Sequence, residues 1–169
     1  MMPADFSSLP DSLRPLVESH WRAFADSGQS LPDPLIKDLP GVWAGSDYVA
    51  EQMTRRPQLT QWLARPGRFA ARLDPRTLRE ELDQLLEDVA DEAELQRRLR
   101  FMRHCHLVRI IWRDLMGMPG RRGSMYADTV HDLSLLADTL IDVALTVLAL
   151  EWEGTENPPE APVVHTRAL

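Results

Sequence analysis

Residues 92–116 run for about seven α-helical turns without a glycine or a proline. At 100° per residue, Phe101, Cys105, Val108, Ile111, Trp112 and Leu115 collect on one broad face. Gly117-Met118-Pro119-Gly120 then stops the run. A helix of this length needs neighbours to cover its apolar side. No Val/Thr-rich alternation marks a strand anywhere in the chain. The expected fold is therefore all-α, a helical bundle of about five to six helices.

Pro and Gly punctuate the rest. Asp11 is the expected cap of a first helix, with Leu13, Leu16, Val17, Trp21 and Phe24 along one side and Gly28 at its end. Pro32, Pro34 and Pro40 read as a Pro-rich connector. A second helical stretch holds Val42, Trp43, Tyr48, Val49 and Met53. Pro57 opens a short helix with Leu59, Trp62 and Leu63, which Pro66 and Gly67 break. Asp74 caps, and Pro75 starts, a helix through Leu78, Leu82, Leu85 and Leu86. A last helix covers residues 126–152. Trp43, Trp62, Trp112 and Trp152 are the expected core anchors, and Trp21 is a candidate to face a neighbouring domain. Residues 153–169 contain Gly154, Pro158, Pro159 and Pro162 and read as a linker, with Pro162-Val163-Val164 as the stub of a strand. The expected division is a helical domain over residues 1–152 and a Pro-rich linker over 153–169.

The 169 residues, 44% of them hydrophobic, suffice for one domain with a sizeable core. A net charge of -7 opposes broad nucleic-acid binding, which calls for a basic footprint. Cys105 is the only cysteine, so no intramolecular disulfide forms, and a reducing cytoplasm is compatible with that. No apolar core of a secretory signal is visible at the N-terminus. The most hydrophobic stretch, residues 133–150, is interrupted by Asp138 and Asp142, which a spanning helix rarely tolerates.

Two helices carry opposite charge. On the long one, Arg103, Arg109 and Arg113 fall largely opposite the apolar face, whereas Arg100 and His104 project towards it. A guanidinium on an apolar face needs a partner. On the last helix, Asp128, Asp132, Asp138 and Asp142 share roughly a third of the circumference. Three readings of them stand, in order of preference: a solvated acidic face, pairing with the arginines of the preceding helix, and a metal or catalytic carboxylate cluster. Arg100 is expected to anchor against an Asp of the last helix. Arg100, Arg103, His104, Arg109, Trp112, Arg113, Asp138 and Asp142 are thus the structural or interdomain candidates.

Reactive constellations are scarce. His104 and His106 are two residues apart, so on a helix they point to nearly opposite sides and do not converge on one ion. Cys105 between them reads as a small core residue. Gly117, Gly120 and Gly123 follow a helix and not a strand, which removes the context of a phosphate-binding loop. Nucleotidyl transfer commonly uses a Gly-Ser turn followed by Asp-x-Asp, two carboxylates that hold Mg2+ against a triphosphate. Gly45-Ser46 and Gly123-Ser124 are present, but Asp-x-Asp follows neither. No Ser/His/Asp or Cys/His arrangement emerges.

Three segments, in order, resemble one family. They are VWAGSDYVAEQMTRRPQLTQWL at residues 42–63, ELQRRLRFMRHCHLVRIIWRDL at 94–115, and LSLLADTLIDVA at 133–144. The middle segment, ending in an Arg-Ile-x-Trp-Arg-Asp-Leu-like pattern, is the specific one. Together they are similar to the bifunctional glutamine synthetase adenylyltransferase, or adenylyl-removing, enzymes, over roughly residues 39–150. His104-Cys105-His106 departs from the family, which tends to have a further charged residue and a Met there.

The resemblance implies a larger enzyme with two nucleotidyltransferase-like domains. One removes AMP from a tyrosine of glutamine synthetase by phosphorolysis, and the other adds AMP from ATP with Mg2+. It implies glutamine synthetase and the PII signal proteins as partners, a role in nitrogen metabolism, and a cytoplasmic location. It places the metal-binding Asp-x-Asp beyond the helices seen here. No catalytic residue or metal ligand is therefore carried over, and the chain alone is expected to be inactive with no cofactor bound. The alternative is a stand-alone helical interaction module without catalysis. A helical DNA-binding regulator has only the Arg-rich helix in its favour.

Overall fold

The computed structural model describes residues 6–69, 72–117 and 125–153. Among them are seven helices and no strand: α1 Arg14–Asp26, α2 Asp33–Gly45, α3 Asp47–Arg55, α4 Pro57–Leu63, α5 Pro75–Leu86, α6 Glu92–Leu115 and α7 Met125–Glu153. The all-α expectation holds, with one or two more helices than expected. The extra elements come from residues 32–55. There the supposed Pro-rich connector is largely helical. Pro34 sits in the first turn of α2, where no N–H is needed. Pro40 lies inside α2, and the hydrogen bond it forgoes is offset by burial of Leu39, Val42 and Trp43 around it. Ser46 then leaves the helix in an extended conformation, and its Oγ accepts from the Val49 amide at 3.4 Å. One expected helical stretch is thus two.

Several starts follow their local chemistry. The Asp74 carboxylate accepts from the Thr77 amide at 2.9 Å, which opens α5. Asp91 does the same for α6 through the Glu94 amide at 2.7 Å, while the Glu94 side chain reaches back to the Ala90 amide. Asp11 behaves differently from its expected role. The Pro10 carbonyl takes the Leu13 and Arg14 amides in a tight turn, α1 starts at Arg14, and Asp11 pairs with the Arg14 guanidinium at 3.0 Å. Gly28 closes the α1 end with φ +70°, a left-handed conformation that costs glycine least. Gly117 does the same after α6 at φ +60°. The rest of the glycine-bearing segment, residues 118–124, and the expected linker over 154–169 lie outside the described residues.

Two apolar clusters share α6. The first joins α1–α4 to one side of it: Val17, Phe24, Val42, Trp43, Met53 and Leu63 meet Cys105, Val108 and Trp112. The second joins Leu73, Leu78 and Leu82 to Met102 and Ile110 of α6 and to Leu136 and Val143 of α7. Helix α6 contacts α2, α3, α4, α5 and α7. It is a central wall with two apolar faces rather than one. α6 and α7 form an antiparallel pair: Thr129 Oγ1 donates to Asp114 at 2.6 Å near one end, and Leu140 lies by Leu99 towards the other. No helix of the described residues is long and apolar enough to cross a membrane.

Candidate functional site

The most polar buried region surrounds the connector between α4 and α5. Connector carbonyls have no helical partner and must find donors elsewhere. Two arginines of α6 supply them. Arg109 Nε donates to the Arg68 carbonyl, and Arg113 Nη1 to the Phe69 carbonyl. Both side chains come from the Arg-rich helix, and both are buried, at 5% and 7% exposure. α7 holds the other end of the connector. Asp132, 3% exposed, accepts from the Leu73 amide at 3.3 Å, and Arg72 pairs with Asp128 at 2.9 Å. A cavity of about 410 Å³ opens here, lined among others by Arg65, Arg68, Arg72, Glu81, His106 and Arg109.

Within it, Glu81 binds two partners at once. One carboxylate oxygen accepts from Arg68 and the other faces His106 Nε2 at 3.2 Å. A carboxylate only accepts, so Nε2 carries the imidazole proton. The Trp62 ring packs against both: the Arg68 guanidinium lies 4.0 Å above it, and the His106 ring meets it edge-on at 4.9 Å. Burial pushes the Glu81 carboxyl upward, but hydrogen bonds from His106 and Arg68 outweigh it and hold the acid below its ordinary range. Burial pulls the His106 imidazole below its ordinary value despite Glu81. The Arg109 guanidinium falls to about 10, first through burial and then through the charge of Arg113. Cys105 is fully buried and its thiol is pushed up to about 12 by burial, as a core cysteine should be.

The sequence-predicted residues divide unevenly over this framework. Trp112 is fully buried, with its indole N–H 3.3 Å from Asp38 and its ring 5.3 Å from Phe69. Trp43 and Trp62 are core anchors too. Trp21 packs on Phe6, Phe24 and Trp43. The expectation is reversed for Arg100, Arg109 and Arg113 and holds for Arg103. Arg100 does not anchor on an Asp of α7; it is exposed, and its guanidinium bonds Gln96 of its own helix. Arg109 and Arg113, expected to face away from the core, are the buried pair. The physical reason is the second apolar cluster: with α5 and α7 on the far side of α6, the supposed solvent face is enclosed. Arg103 is exposed, and half-buried His104 hydrogen-bonds the Tyr48 hydroxyl at 2.8 Å through Nδ1.

The acidic face of α7 is mixed. Arg72 meets Asp128 and approaches Asp132 at 3.9 Å, Arg79 of α5 pairs with Asp142 at 2.5 Å, and Asp138 is exposed. Arg72 and Arg79 both lie outside the Arg-rich helix. Within that helix, Arg109 is close enough to Asp132 for their charges to interact. Sequence reasoning missed Arg68, Arg72 and Glu81. The available signal was three arginines at 65, 68 and 72 beside a Pro-Gly break.

As chemistry, this network positions backbone. The Thr77 hydroxyl is occupied by Asp74 at 3.0 Å. No group of three or more His, Cys, Asp or Glu among the described residues is arranged to hold a metal ion.

One surface stands apart. Along α7, Tyr126, Val130, Leu133, Ile141, Leu145 and Leu148 recur every three, four or eight residues and are exposed, Ile141 at 59% and Leu145 at 63%. At 100° per residue they form one stripe beside the buried Leu136 and Val143.

Comparison with known proteins gives this framework relatives. The family model described as glutamate-ammonia ligase adenylyltransferase matches residues 36–161. A bifunctional glutamine synthetase adenylyltransferase/adenylyl-removing enzyme of Pseudomonas aeruginosa is 39% identical over 157 residues, which cover 86% of this chain and 15% of that protein. The enzyme of the same name from Thioalkalivibrio sulfidiphilus is 35% identical over 143 residues, 80% of this chain and 14% of the relative. That from Pseudomonas syringae pv. tomato is 40% identical over 118 residues, 70% and 12%. The chain thus spans about one seventh of the length of the curated relatives it matches. No solved structure matches it. A family-model match over most of the chain, carried by the helices that build both apolar clusters, shows that the chain belongs to the glutamate-ammonia ligase adenylyltransferase family.

Proposed function

We propose that the chain is the N-terminal helical portion of an enzyme that adds AMP to, and phosphorolytically removes it from, a tyrosine of glutamine synthetase. In this reading residues 1–152 are a lobe that packs against a nucleotidyltransferase sheet, and residues 153–169 link to it. ATP and Mg2+ serve the sheet region, PII signal proteins set the balance of the two reactions, and the enzyme works in the cytoplasm. The relatives' names support adenylyl transfer to glutamine synthetase and adenylyl removal.

The observation that carries the lobe reading is the apolar stripe of α7. A helix that leaves Ile141 and Leu145 more than half exposed presents a surface suited to further polypeptide. A self-sufficient interaction module, the alternative, gains solubility by covering such a stripe. The buried arginines support the same assignment, since they stiffen the lobe and offer no reacting group.

The test is an assay of the isolated chain with glutamine synthetase, ATP and Mg2+ in one direction, and with adenylylated glutamine synthetase and phosphate in the other. Neither reaction is expected. Turnover in either direction would refute the assignment of the chemistry to polypeptide outside these helices.

A further inference from the structure

A groove of about 530 Å³ lies between α6 and α7, with Leu99 and Leu140 as its apolar lining and Gln96, Arg100 and Arg103 along its α6 side. The α6 residues sit at i, i+3, i+4 and i+7, one stripe of that helix. Neither Arg100 nor Arg103 has an ion-pair partner among the described residues, and both are exposed. Arg56 of the α3 end joins them around His104, whose imidazole is held below its ordinary value first by burial and then by these three cations. In a chain of net charge -7, this is a local cationic edge. At 100° per residue Leu140 lies about 20° from exposed Leu133, so the groove lies beside the exposed stripe of α7. The opposite margin of that stripe carries exposed Asp138. The face therefore has an apolar centre, a positive edge along α6 and a negative edge beyond Asp138.

We propose that this groove docks an amphipathic acidic helix from polypeptide outside these 169 residues, with its apolar side chains on Leu99 and Leu140 and its carboxylates on Arg100 and Arg103. The inference rests on the lobe reading for where that helix comes from, and on charge complementarity for its chemistry. Surface cations of this kind steer and orient a partner more than they hold it.

The test uses the full 169-residue chain, labelled with nitrogen-15, and two synthetic peptides of leucines at helical spacing, one with glutamates and one with lysines at the flanking positions. The Leu/Glu peptide should shift the amides of Leu99, Arg100, Arg103 and Leu140, and bind roughly fivefold to tenfold more tightly than the Leu/Lys peptide. Arg100→Glu with Arg103→Glu should reverse that preference; both sites are exposed, and circular dichroism checks that the fold is kept. The milder pair Arg100→Gln and Arg103→Gln should abolish it. Equal binding of the peptides, or a preference unchanged by either pair, would overturn the proposal. So would displacement of the Leu/Glu peptide by duplex DNA at those arginines, or occupation of the groove by a second copy of the chain. The peptide result does not depend on enzymatic turnover, so failure of the docking proposal and failure of the lobe reading are separable.

Discussion

Arg109 and Arg113 show how a charged residue comes to be buried. Each places a guanidinium on a connector carbonyl that has no helical donor. Removing such a donor leaves a buried acceptor unanswered. Arg109→Met should therefore destabilise the fold by about 1–3 kcal/mol, read from urea unfolding; a loss well under that would mean solvent already serves the Arg68 carbonyl. The histidines give a pH prediction. His104 and His106 lie below their ordinary 6.5 in the folded chain. On acidification the unfolded chain takes up those protons first, so stability falls as pH drops through 6.5. Glu81, held below its ordinary 4.5, adds a second loss at lower pH. Unfolding midpoints at pH 7.5 and 5.5 should show the first step, and a flat or rising profile would contradict it. Cys105, fully buried with its thiol near 12, should react with a thiol reagent only as fast as the protein opens. Trp43, Trp62, Trp112 and Cys105 were legible as core residues because size and apolarity leave few other places for them. The arginines were not, because a helical wheel assumes one wet face, and α6 has apolar neighbours on both sides.

Helices start where short polar side chains meet their own backbone, and that part of the fold is written locally. Asp74-Pro75 announces α5, and Pro57 announces α4. Asp91 caps α6, and Asp91→Ala should cost about 0.5–2 kcal/mol of stability, with Asp91→Asn retaining most of it. The break at Ser46 and the helical fate of Pro40 were not legible. Both depend on packing of Leu39, Val42 and Trp43 against distant helices, which local propensity does not encode. The α6–α7 pairing was foreseen only in outline. Opposite charges on the two helices suggested it, whereas what makes it is Thr129 with Asp114 and the shared cluster around Met102, Ile110, Leu136 and Val143, against which Leu99 and Leu140 pack.

At the scale of the whole molecule, the described residues form a helical framework with one exposed apolar stripe. α6 anchors both clusters, and α7 turns an apolar stripe outward. That stripe should bind an apolar fluorescent dye in the native state. Ile141→Lys with Leu145→Lys should abolish the dye binding and leave the unfolding midpoint nearly unchanged, since both side chains are mostly exposed; a large loss of stability would mean the stripe is internal packing. The family was legible in residues 94–115, whose arginines and tryptophan build the connector clamp. The reaction was legible only through that resemblance; among the described residues no group of three or more His, Cys, Asp or Glu is arranged to hold a metal ion. The most direct measurement is a chimera. The Pseudomonas aeruginosa relative, 39% identical over 157 residues, is made with this chain in place of its own matching segment, and its adenylyl transfer and removal are assayed beside the chain alone. The chimera should run both reactions and the isolated chain neither. A chimera that folds but runs neither reaction, or an isolated chain that transfers AMP, would contradict the assignment of this chain as the helical lobe of that enzyme.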